Sequence, residues 1–215
     1  MKSSMKSLVI CGTGTEVGKT IVSALLVQGL KAQYWKPVQT GSNSEVDRET
    51  ICRLLNLPTT RCLPETYIFK APVSPHWAAE QENSVIKPEN LTLPISKSPL
   101  VIETAGGLMV PFTRDWLQID QLEKWQLPIV LVAKSGLGTL NHTLLSLEAL
   151  QLRKISVLGL VLNGPLHPDN PTTLEQFGGV PVIAQLPFLN SLNADSLRRE
   201  WERQKIEDSF KKLLG

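Results

Sequence analysis

The chain has 215 residues, 42% of them hydrophobic and 20% charged, and a formal net charge of +2. That length and apolar content predict one globular domain, residues 1–215, with a core of its own. The near-balance of 22 Lys and Arg against 20 Asp and Glu, with no basic tract, argues against nucleic acid and membrane surfaces as partners, and no apolar run approaches a membrane span.

A basic start, Met1 to Lys6, precedes a short apolar run, Leu8–Cys11. That run leads straight into a glycine-rich turn, so it reads as a first strand and not as a signal peptide. The turn is Gly12-Thr13-Gly14-Thr15-Glu16-Val17-Gly18-Lys19-Thr20, and the helical run Ile21–Leu30 follows it. Strand, glycine-rich turn, Gly-Lys-Thr and helix make a phosphate-binding loop. A tight turn without bulky side chains points successive backbone N–H groups at one place, and the helix start adds its positive end. Lys19 is then in reach of the β- and γ-phosphates, and the Thr20 hydroxyl can bind Mg²⁺. Gly14 stands where partition ATPases carry a signature lysine, which argues against that class.

Gln33–Lys36 reads as a second short strand, closed by Lys36-Pro37-Val38-Gln39-Thr40-Gly41. A lysine at the carboxyl end of a strand sits on the ligand edge of a sheet and can stabilise charge on a transferred phosphoryl group. The spacing predicts a helix over Glu45–Leu55. Asp47 at its start has two readings of equal standing, a partner for the helix dipole or a Mg²⁺ ligand. Residues 56–99 hold seven prolines and read as irregular, with a helix near Pro75–Gln81. They form an elaboration of the domain and not a linker.

Leu100–Glu103 predicts a strand that ends in an acid, followed by Thr104-Ala105-Gly106-Gly107. A nucleotide-binding sheet presents a metal ligand in this way, and the glycines let backbone N–H groups approach phosphates or substrate. Further strands are expected at Leu127–Ala133, Val157–Asn163 and Val180–Leu186. Helices are expected at Ile119–Trp125, Leu140–Leu152, Thr172–Phe177 and Asp195–Leu214. Continuous apolar strands alternating with helices predict an α/β fold: an open, mostly parallel sheet with helices on both faces, of P-loop NTPase type. Cys11, Cys52 and Cys62 are odd in number and lack metal-ligand spacing, as do the three histidines. A reduced, cytoplasmic protein is expected.

Four segments in this order resemble the dethiobiotin synthetase family. Its Gly-Thr-x-Thr-x-x-Gly-Lys-Thr is matched by Gly12 to Thr20, and its Lys-Pro-Val-x-Ser/Thr-Gly by Lys36 to Gly41. Its Glu-x-Ala-Gly-Gly is matched by Glu103 to Gly107, and its Gly-x-x-Asn-His by Gly138 to His142. The resemblance implies ATP as co-substrate, with Glu16, Val17, Gly18, Lys19, Thr20 and Ile21 around its phosphates. Glu103, Thr104, Ala105 and Gly106 would also face the nucleotide. Asn163 would read the base, beside Pro187, Phe188 and Leu189. Thr20, Asp47 and Glu103 would hold Mg²⁺. Lys36, with Lys19, would be catalytic.

The implied substrates are CO₂ and 7,8-diaminononanoate, in biotin synthesis, contacted by Thr40, Gly107 and Asn141. Asn141 would act across the interface of a homodimer. Two rivals differ in sequence. Amide-forming synthetases of cobalamin assembly need a second domain with a nucleophilic cysteine, for which this chain is too short. A partner-controlled nucleotide switch is argued against by Gly14.

Overall fold

The computed structural model describes residues 7–43 and 46–214. The basic start, residues 1–6, and Glu45 at the head of the expected second helix lie outside them. Six strands, β1 (Ser7–Gly12), β2 (Gln33–Trp35), β5 (Leu100–Gly107), β6 (Ile129–Lys134), β7 (Val157–Asn163) and β8 (Val182–Leu186), form one sheet. Its order is β2-β5-β1-β6-β7-β8, and every pairing is parallel. The chain fills one side of β1 first and crosses to the other between β5 and β6. Open parallel sheets bind ligands beyond their carboxyl ends at such a reversal, and the glycine-rich loop leaves β1 there.

Alternate side chains of the strands enter two cores. Leu8, Ile10, Val101, Val130, Val132 and Val161 face α1 (Lys19–Gly29), α2 (Asp47–Leu55), α7 (Ala194–Arg203) and α8 (Ile206–Leu214). Val9, Cys11, Ile102, Leu131, Ala133 and Leu160 face α4 (Gln118–Trp125), α5 (Thr139–Leu152) and α6 (Asn170–Gly178). Burial on both faces explains why the strand sequences are continuously apolar. The three cysteines are free thiols, two of them buried. Burial pushes the Cys11 thiol up to about 12, which removes it as a nucleophile.

Three expectations are corrected. First, β5 does not stop at Glu103 but runs on to Gly107. The Gln118 side chain holds this extension. Its Oε1 accepts from the Ala105 N–H at 3.0 Å, and its Nε2 donates to the Gly107 carbonyl at 2.8 Å.

Second, the run Asp195–Leu214 is two helices, not one. Lys205 takes a left-handed φ of 51° between them. The preceding Gln204 amide pairs with the backbone of Gln185 in β8 through two bonds of 2.9 Å. This covers an edge strand that would otherwise offer free polar groups.

Third, residues 56–99 hold more order than seven prolines suggest. Besides α3 (Pro75–Gln81), β4 (Tyr67–Ile68) pairs with β3 (Val38–Gln39), just after Lys36. Val38, Phe69, Ala78, Ala79, Ile86, Leu91 and Phe112 form a small core beneath it.

Candidate active site

The loop from β1 into α1 closes on itself. The Lys19 ammonium donates to the Gly14 carbonyl at 2.9 Å. Gly18 caps α1 with a φ of 93°, and the Asn163 amide donates to the Val17 carbonyl at 3.2 Å. The end of β7 therefore braces the loop against the start of the helix. Burial pulls the Lys19 ammonium below its usual value, and nearby Lys36 adds to this. A buried cation so disfavoured gains from an anion placed beside it.

Next to Lys19, five side chains from four segments meet. The Thr20 hydroxyl lies 2.8 Å from Asp47 Oδ1 and 3.0 Å from Glu103 Oε1. Lys36 Nζ pairs with Asp47 Oδ2 and stands 3.6 Å from Glu103 Oε1. The Tyr34 hydroxyl donates to Glu103 Oε2 at 3.0 Å. Asp47 is delivered by the first turn of α2, Glu103 by the middle of β5 and Lys36 by the end of β2.

Burial works against the charge on Lys36, but Glu103 and Asp47 outweigh it and hold its ammonium above the ordinary lysine range. Burial likewise disfavours the Asp47 carboxylate, and Lys36 overrides it to hold Asp47 below the usual range. Tyr34 is raised well above its ordinary value by burial first and then by Glu103 and Asp47. It stays a neutral donor.

The donor chemistry fits Mg²⁺. Asp47, Glu103 and Thr20 bring three hard oxygens to one point. The lone Thr20 proton cannot satisfy two carboxylates, which leaves an acceptor for a cation. No group of three or more His, Cys, Asp or Glu among the described residues is placed to hold a metal. Oxygen-seeking Mg²⁺, which keeps water and phosphate ligands, does not need one.

Comparison with known proteins follows the same line. Residues 6–196 match the family model described as an AAA domain. The ATP-dependent dethiobiotin synthetase BioD of Rhodopseudomonas palustris strain BisA53 is 45% identical over 205 residues, 95% of this chain and 96% of that protein. The chain belongs to the ATP-dependent dethiobiotin synthetase family.

A second family member, from Paramagnetospirillum magneticum, is 46% identical over 90% of this chain and 93% of its own. The biotin biosynthesis bifunctional protein BioCD of Bordetella avium is 47% identical over 93% of this chain, which spans 43% of that larger protein. Among solved structures, a ParA family ATPase from Chlorobium tepidum aligns over 98% of this chain and 94% of its own, with a TM-score of 0.56 at 13% identity. The cell division ATPase MinD of Pyrococcus furiosus covers 98% and 100%, with a TM-score of 0.54 at 16% identity. At those identities the likeness shows the P-loop fold alone.

Against this dethiobiotin synthetase frame, Lys19, Thr20, Lys36, Asp47 and Glu103 come together. Thr40 follows β3, next to Gln39, whose side chain donates to the Thr40 carbonyl at 2.7 Å. Gly107 pairs with Gly12 across the sheet, and a Cβ there would stand 3.4 Å from Gly14 Cα. That is ordinary contact distance, and it places the end of β5 directly beside the phosphate loop. Thr104 turns its hydroxyl into the sheet, donating to the Ile10 carbonyl at 3.1 Å. Ala105 and Gly106 continue β5 toward the loop.

Glu16 takes a left-handed φ of 56° in the loop, and Ile21 lies in the first turn of α1. Pro187, Phe188 and Leu189 follow β8. Phe188 is largely exposed, whereas Leu189 packs against the core. Asn141 stands exposed in the first turn of α5.

Sequence reasoning missed Tyr34 and Gln118. The signal for Tyr34 was there: it lies two residues before Lys36, so on the same face of an extended segment. Gln118 has no such signal, since its role depends on where α4 docks against β5.

Proposed function

We propose that this chain, acting as one domain over residues 1–215, is an ATP- and Mg²⁺-dependent dethiobiotin synthetase. It joins CO₂ to 7,8-diaminononanoate and closes the ureido ring, giving dethiobiotin, ADP and phosphate in biotin synthesis. One observation carries the reading. A buried lysine from the end of β2 meets two carboxylates and the Thr20 hydroxyl beside the phosphate loop. A phosphate loop alone would suit any nucleotide hydrolase. A second buried cation at its mouth suits a reaction that brings two anions together.

The chemistry assigns the roles. One amine of the substrate adds to CO₂ and loses a proton, forming a carbamate anion. A carbamate oxygen attacks the γ-phosphorus, the bond to the β–γ bridging oxygen breaks, and ADP leaves. The second amine attacks the carbonyl carbon of the mixed anhydride. The C–O bond breaks, phosphate departs, and the ring nitrogen gives up its proton. Little covalent work falls to the protein, which positions anions and offsets their charge.

Lys19 turns from the Gly14 carbonyl to the β- and γ-phosphates. The backbone of Glu16 to Ile21 cradles them. Lys36 faces the carbamate and the transferred phosphoryl group. Thr20, Asp47 and Glu103 hold Mg²⁺, which when bound supplies positive charge to the phosphate oxygens. Glu103 to Gly106 line the nucleotide side.

Asn163, Pro187, Phe188 and Leu189 flank the base. Thr40 and Gly107 contact the diamine. Asn141, at the start of α5, receives the carboxylate tail from a partner copy in a homodimer. Exposed Leu137 and Leu145 beside it support that interface. No helix among the described residues is long and apolar enough to cross a membrane. We place the enzyme in the cytoplasm, where its free cysteines stay reduced.

Turnover in ¹³C-labelled bicarbonate tests this reading. The expected product is dethiobiotin carrying the label in its ureido carbonyl, in equal amount to the phosphate released. Phosphate release with no labelled product would overturn it.

A further inference from the structure

We infer that Tyr34 is a positioning residue for this chemistry: its hydroxyl fixes one oxygen of Glu103 so that the other faces Thr20, Asp47 and Lys36. The inference rests on the proposed reading of Thr20, Asp47 and Glu103 as the Mg²⁺ ligands. Tyr34 is 0% exposed and Glu103 1%. The two oxygens of Glu103 have separate partners. Oε2 accepts from the Tyr34 hydroxyl at 3.0 Å. Oε1 lies 3.0 Å from the Thr20 hydroxyl, which it shares with Asp47 Oδ1, and 3.6 Å from Lys36.

The terminal torsion of a glutamate is soft. A carboxylate with both oxygens free to exchange would spread its orientation over the site. A donor that holds one oxygen sets the plane of the group and thus the aim of the other. Hydrogen-bonded partners behind a metal ligand commonly work in this way.

The sheet explains why Tyr34 can do this. Tyr34 pairs in register with Val101, two residues before Glu103, on the neighbouring strand. Lys36 lies two residues beyond Tyr34 on the same face of the extended chain. One short segment therefore delivers the donor for Oε2 and the cation beside Oε1. A packing role asks only for the ring, since tyrosine and phenylalanine fill nearly the same space. The hydroxyl is the part that reaches Glu103.

Tyr34→Phe in the full chain separates the two roles. The readouts are Mn²⁺ binding in the presence of ADP, followed by electron paramagnetic resonance of the free ion, thermal melting, and ADP binding in EDTA. Metal-free ADP affinity is expected to match wild type, and melting without metal to fall by a few degrees, since buried Glu103 Oε2 loses its donor. Mn²⁺ affinity is expected to fall about 10-fold, at the lower end of what loss of a ligand's partner costs. The Mg²⁺ concentration for half-maximal turnover should rise in parallel, with kcat partly restored at saturating Mg²⁺. In a Glu103→Gln background, Tyr34→Phe should change nothing more, because the hydroxyl acts through that carboxylate.

Three kinds of result would overturn the inference. One is wild-type Mn²⁺ affinity in folded Tyr34→Phe while Glu103→Gln is weakened, which spares the metal reading. Another is an equal further loss in both backgrounds, or failure of Tyr34→Phe to fold, either of which makes the hydroxyl a structural group. The third is unchanged Mn²⁺ affinity in Glu103→Gln itself, which removes the proposed metal site and Tyr34 with it.

Discussion

Lys36→Gln is expected to lower kcat by roughly 10²–10³-fold, the usual loss when one charge-stabilising contact to a transition state is removed. The reasoning starts from burial. Lys36 is buried, and the Asp47 and Glu103 carboxylates keep its ammonium charged. A buried cation kept charged in this way has little of its own solvation left to lose when an anion arrives, so it is poised to offset charge on a developing phosphoryl transfer. Glutamine keeps a polar donor group, one bond shorter, but not the charge.

The same change leaves two carboxylates converging on Thr20 without their cation. Stability in the absence of metal should therefore fall, and Mg²⁺ should recover part of it. ADP binding at the phosphate loop is expected to persist, since Lys36 lies outside that loop. Steady-state turnover with the diamine, melting with and without Mg²⁺, and ADP titration together check the claim. Wild-type turnover in Lys36→Gln would remove its catalytic role.

Gly18→Ala is expected to abolish nucleotide binding and to cost roughly 1–3 kcal/mol of stability. Two independent effects meet there. The residue caps α1 at φ 93° and ψ 25°, a left-handed conformation that favours glycine. A Cβ would also stand 1.8 Å from Asn163 Nδ2. Something must move, and the amide that moves is the one that donates to the Val17 carbonyl at 3.2 Å. A single methyl group thus strains the first turn of the helix and loosens the brace between β7 and the phosphate loop. Chemical denaturation and ADP titration read the two effects separately. ADP affinity equal to wild type would show that the loop tolerates the displacement.

Much of this architecture was legible because its strands are apolar on both faces. Leu8–Cys11, Leu100–Glu103 and Val157–Asn163 could be read as strands from hydrophobic runs alone, and the fold class followed from their alternation with helices. The errors have physical causes. The apolar run ends at Glu103 and the small residues Ala105-Gly106-Gly107 carry no strand signal, so only the Gln118 side chain, from a helix further along the chain, holds them as strand. The final helix was joined because Leu197, Trp201, Phe210 and Leu213 keep a helical spacing across the break. Gln204 and a left-handed Lys205 end it for the sake of β8, a contact between distant segments.

β3 and β4 are two-residue strands among prolines, too short to leave a periodic signal. In the site, Lys19, Thr20, Lys36 and Glu103 were marked by local motifs. Asp47 was ambiguous because a first-turn acid suits a helix dipole equally well, and only its contacts with Thr20 and Lys36 separate the readings. Tyr34 is marked only by its place two residues before Lys36, and nothing in a strand sequence says where its hydroxyl ends.

The most direct measurement is phosphate release from ATP by the purified protein at fixed Mg²⁺ and bicarbonate, with and without 7,8-diaminononanoate. Release that depends on the diamine and yields dethiobiotin is the predicted result. Release that is the same with and without the diamine would contradict the account, and would turn the Lys36, Asp47 and Glu103 cluster toward a different acceptor.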